Sequence, residues 1–112
     1  MRTIEWRGDH AVLLDQTRLP HEVVRIEVRD VDTMIDAIRR LAVRGAPAIG
    51  VAGAFAVALA AQRAERDGLP TSYVCAEAAR ITAARPTAVN LSWAVRRVLA
   101  RREEGSAAAD RL

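Results

Sequence analysis

The stretch Arg44-Gly45-Ala46-Pro47-Ala48-Ile49-Gly50 is followed directly by Val51-Ala52-Gly53-Ala54-Phe55-Ala56-Val57-Ala58-Leu59-Ala60-Ala61. After Arg44, no residue up to Ala61 is charged. Proline favours the first position of a helix, because it has no N–H to satisfy and its φ is already helical. The run after Pro47 is apolar on nearly every side, as in a buried helix. These residues therefore predict a central helix over residues 47–66, around which the domain is built.

The start of this helix also has the features of an anion site. The first amides of a helix have no partners within it, and the helix dipole leaves partial positive charge there. Gly45 and Ala46 add no bulk, and Arg44 adds a forked cation. Phosphate is the anion that such a site commonly holds. The alternative is a tight turn with a solvated arginine.

Composition limits the class of protein. A chain of 112 residues forms one domain. All 17 basic residues are arginine, and against 14 acidic residues they leave a net charge of only +3, so no nucleic-acid partner is expected. Cys75 is the single cysteine, which excludes an internal disulfide and favours the cytoplasm. The uncharged run is shorter than the roughly 20 residues of a membrane span, so no membrane contact is expected.

The rest of the chain predicts an α+β fold, with a small three-stranded antiparallel sheet followed by a bundle of about four helices. Alternating residues place strands at 3–6, 11–15 and 24–29. Helical periodicity follows over residues 30–43, capped by Asp30 or Asp32. A third helix is capped by Thr71 or Ser72, and a fourth by Thr87 or Asn90. Residues 1–29 thus form the sheet, 30–104 the bundle, and 105–112 a linker or truncated end.

Few other residues suggest chemistry. His10 and His21 fall in predicted turns, where solvated side chains are expected, and no metal-ligand spacing surrounds them. Cys75 has no nearby base and is interpreted as a packing residue. Gly50 and Gly53 lower helix propensity, which indicates close packing of another helix more than a ligand.

Two segments share one design, in which an arginine precedes a constrained turn and a helix. Residues 44–50 and Arg85-Pro86-Thr87-Ala88-Val89-Asn90-Leu91, with Trp93-Ala94, resemble the two N-terminal signatures of methylthioribose-1-phosphate isomerases. The opening Arg2-Thr-Ile-Glu-Trp6 and Leu13-Leu-Asp-Gln16, with Leu19-Pro20, resemble the first strands of that family. The likeness covers residues 1 to about 100. The first signature is shared more loosely with ribose-1,5-bisphosphate isomerases and regulatory subunits of translation initiation factor 2B.

The resemblance implies the N-terminal domain of a two-domain enzyme whose Rossmann-like C-terminal domain is absent here. It implies conversion of 5-methylthioribose 1-phosphate to 5-methylthioribulose 1-phosphate in methionine salvage, without metal or other cofactor, by a homodimer when full length. It assigns binding of the sugar phosphate to Arg44, Gly45, Ala46 and Arg85. The family's catalytic cysteine and aspartate belong to the C-terminal domain, so no catalytic residue and no activity is expected of this chain. A non-catalytic module of the initiation factor 2B type and a ribose-1,5-bisphosphate isomerase are the alternatives.

Overall fold

The computed structural model describes residues 3–18, 20–40, 43, 45–85 and 88–110, with only the backbone of residues 46 and 102–110. It confirms the predicted α+β fold, a three-stranded antiparallel sheet followed by four helices. The strands are β1 (Ile4–Trp6), β2 (Ala11–Leu14) and β3 (Arg25–Val28), with a short 3-10 helix at Gln16–Arg18. The helices are α1 (Val31–Arg39), α2 (Ala46–Asp67), α3 (Thr71–Ala83) and α4 (Val89–Asp110).

The sheet has the order β1-β2-β3, and both pairs are antiparallel. Val12 in the central strand pairs with Glu5 on one side and Glu27 on the other. All four residues of β2 are buried, whereas β3 buries only Val28. The three predicted strands are therefore present, with ends one or two residues shorter than expected.

Helix α1 begins at one of its two predicted caps. The Asp30 carboxylate accepts a hydrogen bond from the Thr33 amide at 2.7 Å, which satisfies an amide of the first turn. Met34 and Ile38 are fully buried on the core face. The helix ends at Arg39, several residues before the predicted end at residue 43.

Helix α2 is the centre of the domain and contacts α1, α3, α4 and β1. It begins at Ala46, with Gly45 as its N-cap, so Pro47 is the second helical residue and not the first. It ends at Asp67 and is followed by its C-cap Gly68, which has a left-handed φ of 66°. Residues Pro47–Asp67 are long and apolar enough to cross a membrane, but half of the most apolar window is buried inside the domain.

The two glycines of α2 mark its closest approach to α4, as predicted. A Cβ atom at Gly50 would lie 3.4 Å from the Asn90 carbonyl oxygen. A Cβ at Gly53 would lie only 2.5 Å from Leu91 Cδ1. A side chain at 53 would therefore force the buried Leu91 side chain to move, while position 50 has room for a methyl group.

Several predictions for the second half of the chain were wrong. Cys75 is exposed on α3, because its neighbour Val74 takes the core position. The N-cap of α3 is Pro70, without a side-chain hydrogen bond. Asn90 lies inside α4, and Thr87 is outside the described residues. Helix α4 continues to Asp110, so residues 105–110 are helical where a linker or truncated end was expected.

The two histidines differ. His21 is exposed, as predicted. The side chain of His10 is only 13% exposed, and its Nδ1 lies 2.6 Å from Asp9 Oδ1, so it is a partnered turn residue and not a solvated one.

Candidate functional site

The turn before α2 has a backbone that favours glycine. Gly45 adopts φ 89° and ψ 137°, a conformation that strains any residue with a Cβ. Its carbonyl oxygen accepts the Ile49 amide at 3.0 Å and so closes the first helical turn. Within the described part of the chain, no side chain caps α2. The amides of Ala46 and Ala48 therefore face outward at the positive end of the helix dipole, as an anion site requires.

The predicted arginines are placed unequally by the structure. Arg85 is half-buried in the loop between α3 and α4, and its carbonyl oxygen accepts the Ala88 amide at 2.9 Å. Arg44 and the side chain of Ala46 lie outside the described residues. Binding of one phosphate by both Arg44 and Arg85 therefore stays a prediction.

The backbone nevertheless brings the two turns to the same end of the domain. Gly50 faces Asn90, and three residues later Gly53 faces Leu91 and Val95. Pro47 and Val89, from the first turns of the two helices, also line one groove, so these first turns lie side by side. Gly45 and the loop containing Arg85 precede these neighbouring helix starts, which makes a shared anion site geometrically reasonable.

An open groove of about 570 Å³ runs between the first halves of α2 and α4. Its walls are mostly apolar and include Pro47, Val51, Val89 and Trp93. Trp93 is 56% exposed, and the Arg97 guanidinium lies 5.3 Å from the centre of its ring. Sequence reasoning missed this groove. The available signal was that Trp93 falls off the apolar stripe that α4 turns toward the core.

A buried carboxylate anchors the end of α1, just before the turn. Asp15, 3% exposed, accepts hydrogen bonds from the Thr17 amide at 3.0 Å and the Thr17 hydroxyl at 2.6 Å. Its second oxygen accepts from Arg40 Nη1 at 3.1 Å. The hydrogen bonds from Thr17, followed by those from Arg40, lower the pKa of Asp15 below its usual 3.8 despite burial. Arg40 also bonds Asp36, so the chain leaves α1 from a fixed point.

Asp15→Asn is expected to lower the free energy of unfolding by about 1–2 kcal/mol at pH 7, because the amide keeps the size but loses the charge that faces Arg40. A carboxylate with a lowered folded-state pKa stabilises above its unfolded pKa, and that contribution is lost as the pH falls through the folded value. The parent protein should therefore lose more stability than the variant below about pH 5. Urea denaturation at pH 7 and pH 3.5 measures this, with Glu65→Gln, at an exposed carboxyl of α2, as control. Equal pH dependence of parent and Asp15→Asn would exclude the anchoring role.

A second cavity of about 520 Å³ is charged but is a poor anion site. Four arginines line it, and each forms an ion pair with a carboxylate in the described structure: Arg29, Arg63, Arg66 and Arg80. The nearby carboxylates of Asp32 and Glu77 raise the pKa of Arg80. Among the described residues, no group of three or more histidine, cysteine or acidic side chains is arranged to hold a metal ion.

Comparison with known proteins gives consistent matches. The profile of the initiation factor 2 subunit family matches residues 42–111. A probable bifunctional methylthioribose-1-phosphate isomerase/methylthioribulose-1-phosphate dehydratase of Nocardia farcinica is 54% identical over 105 residues, covering 93% of this chain and 19% of the relative. The methylthioribose-1-phosphate isomerase of Geobacter sulfurreducens is 49% identical over 102 residues, covering 87% of this chain and 29% of the relative.

Solved structures agree. The 5-methylthioribose 1-phosphate isomerase of Pyrococcus horikoshii matches with TM-score 0.83 and 33% identity, over 92% of this chain and 30% of that one. The delta subunit of translation initiation factor eIF-2B from A. fulgidus matches with TM-score 0.79 and 44% identity, over 88% of this chain and 29% of that one. The chain thus spans between 19% and 32% of the lengths of the curated relatives it matches.

Proposed function

Since the chain belongs to the initiation factor 2 subunit family, we propose that it is the N-terminal, phosphate-binding part of a methylthioribose-1-phosphate isomerase. The full-length enzyme would convert 5-methylthioribose 1-phosphate to 5-methylthioribulose 1-phosphate in methionine salvage. We place it in the cytoplasm, as a homodimer when full length. Relatives with this name match nearly the whole chain at 46–54% identity.

The observation that carries the proposal is the shared end of α2 and α4. The uncapped start of α2 at Gly45 and the loop with Arg85 precede helices that begin side by side. In the proposed complex, the amides beyond Gly45 and the guanidinium groups of Arg44 and Arg85 donate to the oxygens of the sugar phosphate. Both donor types favour a dianion.

The affinity that these contacts can give the chain for a sugar phosphate can be estimated. Two charge-assisted arginine contacts contribute about 1.5–3 kcal/mol each, and the helix end up to about 1 kcal/mol more. Association costs on the order of 4–15 kcal/mol. The chain alone is therefore expected to bind the sugar phosphate at about millimolar strength or weaker. A second domain closing over the site would exclude water and strengthen each contact.

Catalysis is assigned to the two thirds of the relatives that this chain does not match. An aldose–ketose isomerisation moves hydrogen between C1 and C2 of the sugar, and it needs groups that hold and release protons there. Cys75 is exposed on α3 and receives no catalytic role. Asp15, the buried carboxylate nearest the turn in sequence, accepts hydrogen bonds from Thr17 and Arg40, so it receives no catalytic role either.

A non-catalytic binding module is the second candidate. It is favoured by the structural match to the eIF-2B delta subunit, which has higher sequence identity to this chain than the isomerase structure does. In that case, the groove and the turn would serve contacts between proteins. The two candidates differ in whether the turn binds a sugar phosphate.

A chimaera tests the proposal. Residues 1–101 of this chain would replace the matching N-terminal part of the Geobacter sulfurreducens enzyme, which is 49% identical to this chain over 102 residues. The chimaera is expected to form 5-methylthioribulose 1-phosphate from 5-methylthioribose 1-phosphate within about tenfold of the parent kcat/KM. A chimaera that folds and forms the parent's oligomer, but turns over no substrate, would favour the binding module. Ribose 1,5-bisphosphate as a competing substrate tests the third possibility.

A further inference from the structure

We propose that the groove between α2 and α4 binds the methylthio end of the substrate, with Trp93 as the residue that selects this group over a hydroxyl. The inference rests on the proposed function and extends it from the phosphate to the opposite end of the sugar. Its basis is the juxtaposition of an apolar groove with the start of α2. The walls are formed by Pro47, Val51, Ala54, Val89, Trp93 and Val98.

The dimensions match. The groove begins at Pro47, two residues after Gly45, and ends on the α2 side at Ala54. At 1.5 Å per helical residue, Ala46 to Ala54 spans about 12 Å. In the furanose ring form, six bonds through the ring oxygen separate the phosphorus from the sulfur of methylthioribose 1-phosphate, and they span roughly 7 Å when extended. A phosphate at the start of α2 thus places the methylthio group within the groove, whose volume of about 570 Å³ suits a small ligand.

The chemistry of the walls also matches. Val89 and Trp93 are 76% and 56% exposed, so a ligand would remove apolar surface from water. A thioether makes favourable contacts with aromatic rings, and the stacked Arg97 restrains the indole. No carboxylate is among the described residues that line the groove, whereas Arg97 and Asn90 are. This charge pattern suits an anionic ligand with sugar hydroxyls and an apolar end.

The test uses the 112-residue chain with two ligands, 5-methylthioribose 1-phosphate and ribose 1-phosphate, which differ only at C5. Ligand-detected NMR titrations to about 20 mM give both dissociation constants. The methylthio ligand should bind about tenfold more tightly, at the lower end of the discrimination given by one apolar group. Saturation of protein protons should transfer most strongly to the S-methyl group.

Trp93→Ala should reduce the preference to less than twofold and leave binding of ribose 1-phosphate unchanged. Because Trp93 is mostly exposed, the variant should keep the fold, which circular dichroism checks. Val23→Ala, at an apolar residue 60% exposed in the loop before β3, is the matched control and should keep the full preference.

Each other outcome is decisive. Equal binding of both ligands, or a preference that Trp93→Ala leaves intact, overturns the role of the groove and leaves the phosphate site standing. No binding of either ligand overturns the phosphate site, and the proposal with it. If sedimentation shows that the chain dimerises and that Trp93→Ala abolishes only this, the groove is an interface between two copies and the proposal fails.

Discussion

Replacing Arg85 by alanine in the chimaera is expected to lower kcat/KM roughly 10- to 150-fold, because one charge-assisted contact to phosphate is worth about 1.5–3 kcal/mol. The contact is present in the bound substrate and the transition state alike, so most of the loss should appear as a higher KM. Arg85→Lys keeps a point charge but loses the planar fork, and an intermediate loss is expected. Initial rates over a range of substrate concentrations measure both parameters.

The control for Arg85→Ala is Arg96→Ala, an exposed arginine of α4. It removes the same charge and should change kcat/KM less than threefold. The comparison distinguishes a direct contact with the phosphate from the long-range electrostatic effect of losing one positive charge. A loss of the same size in both variants would point to long-range electrostatics. A change below threefold for Arg85→Ala would remove Arg85 from the phosphate site.

Much of the fold could be predicted because its signals are local. Asp30 lies three residues before the amide that it caps, and Gly68 follows the last turn of α2. The alternation in the first 29 residues specifies three strands without reference to the rest of the chain. Such features depend only on residues within one helical turn or one hairpin, so they can be recognised in the sequence.

The errors arise where distant residues decide. Helix α1 ends early where Arg40, which follows its last residue, pairs with Asp15, 25 residues away along the chain. No periodicity within α1 reveals that contact. The exposure of Cys75 is an exception, because Val74, Ala78 and Ile81 form the buried face of α3 at i, i+4 and i+7, and this helical periodicity already leaves Cys75 outside that face.

The candidate site shows the same division. The start of α2 and the special backbone of Gly45 follow from a glycine and a proline that lie two residues apart. The groove does not follow from local sequence, because it forms only where α2 and α4 pack against each other. Trp93 is an unremarkable aromatic residue in the sequence and becomes a candidate ligand contact only beside Val51 and Ala54 of the other helix.

The packing of α2 against α4 depends on Gly53, and Gly53→Val should have the largest effect on stability. Its Cβ would lie 2.5 Å from Leu91 Cδ1 and 3.3 Å from Val95 Cγ2, and both residues are buried. Neither has solvent to move into, so the helices must separate. We expect a loss of about 2–3 kcal/mol in the free energy of unfolding, typical of an overfilled core. The melting temperature should fall by roughly 4–8 °C for each kcal/mol.

Gly50→Ala is the matched control, one turn earlier on the same face of α2. Its Cβ would lie 3.4 Å from the Asn90 carbonyl oxygen, an ordinary contact, and alanine favours the helix by up to about 1 kcal/mol. Thermal and urea denaturation should therefore show Gly50→Ala unchanged or stabilised while Gly53→Val is destabilised. Similar losses in both would mean that the helices meet with less specificity than the contacts at Gly53 imply. Since α2 and α4 also form the groove, Gly53→Val should also weaken binding of the methylthio ligand.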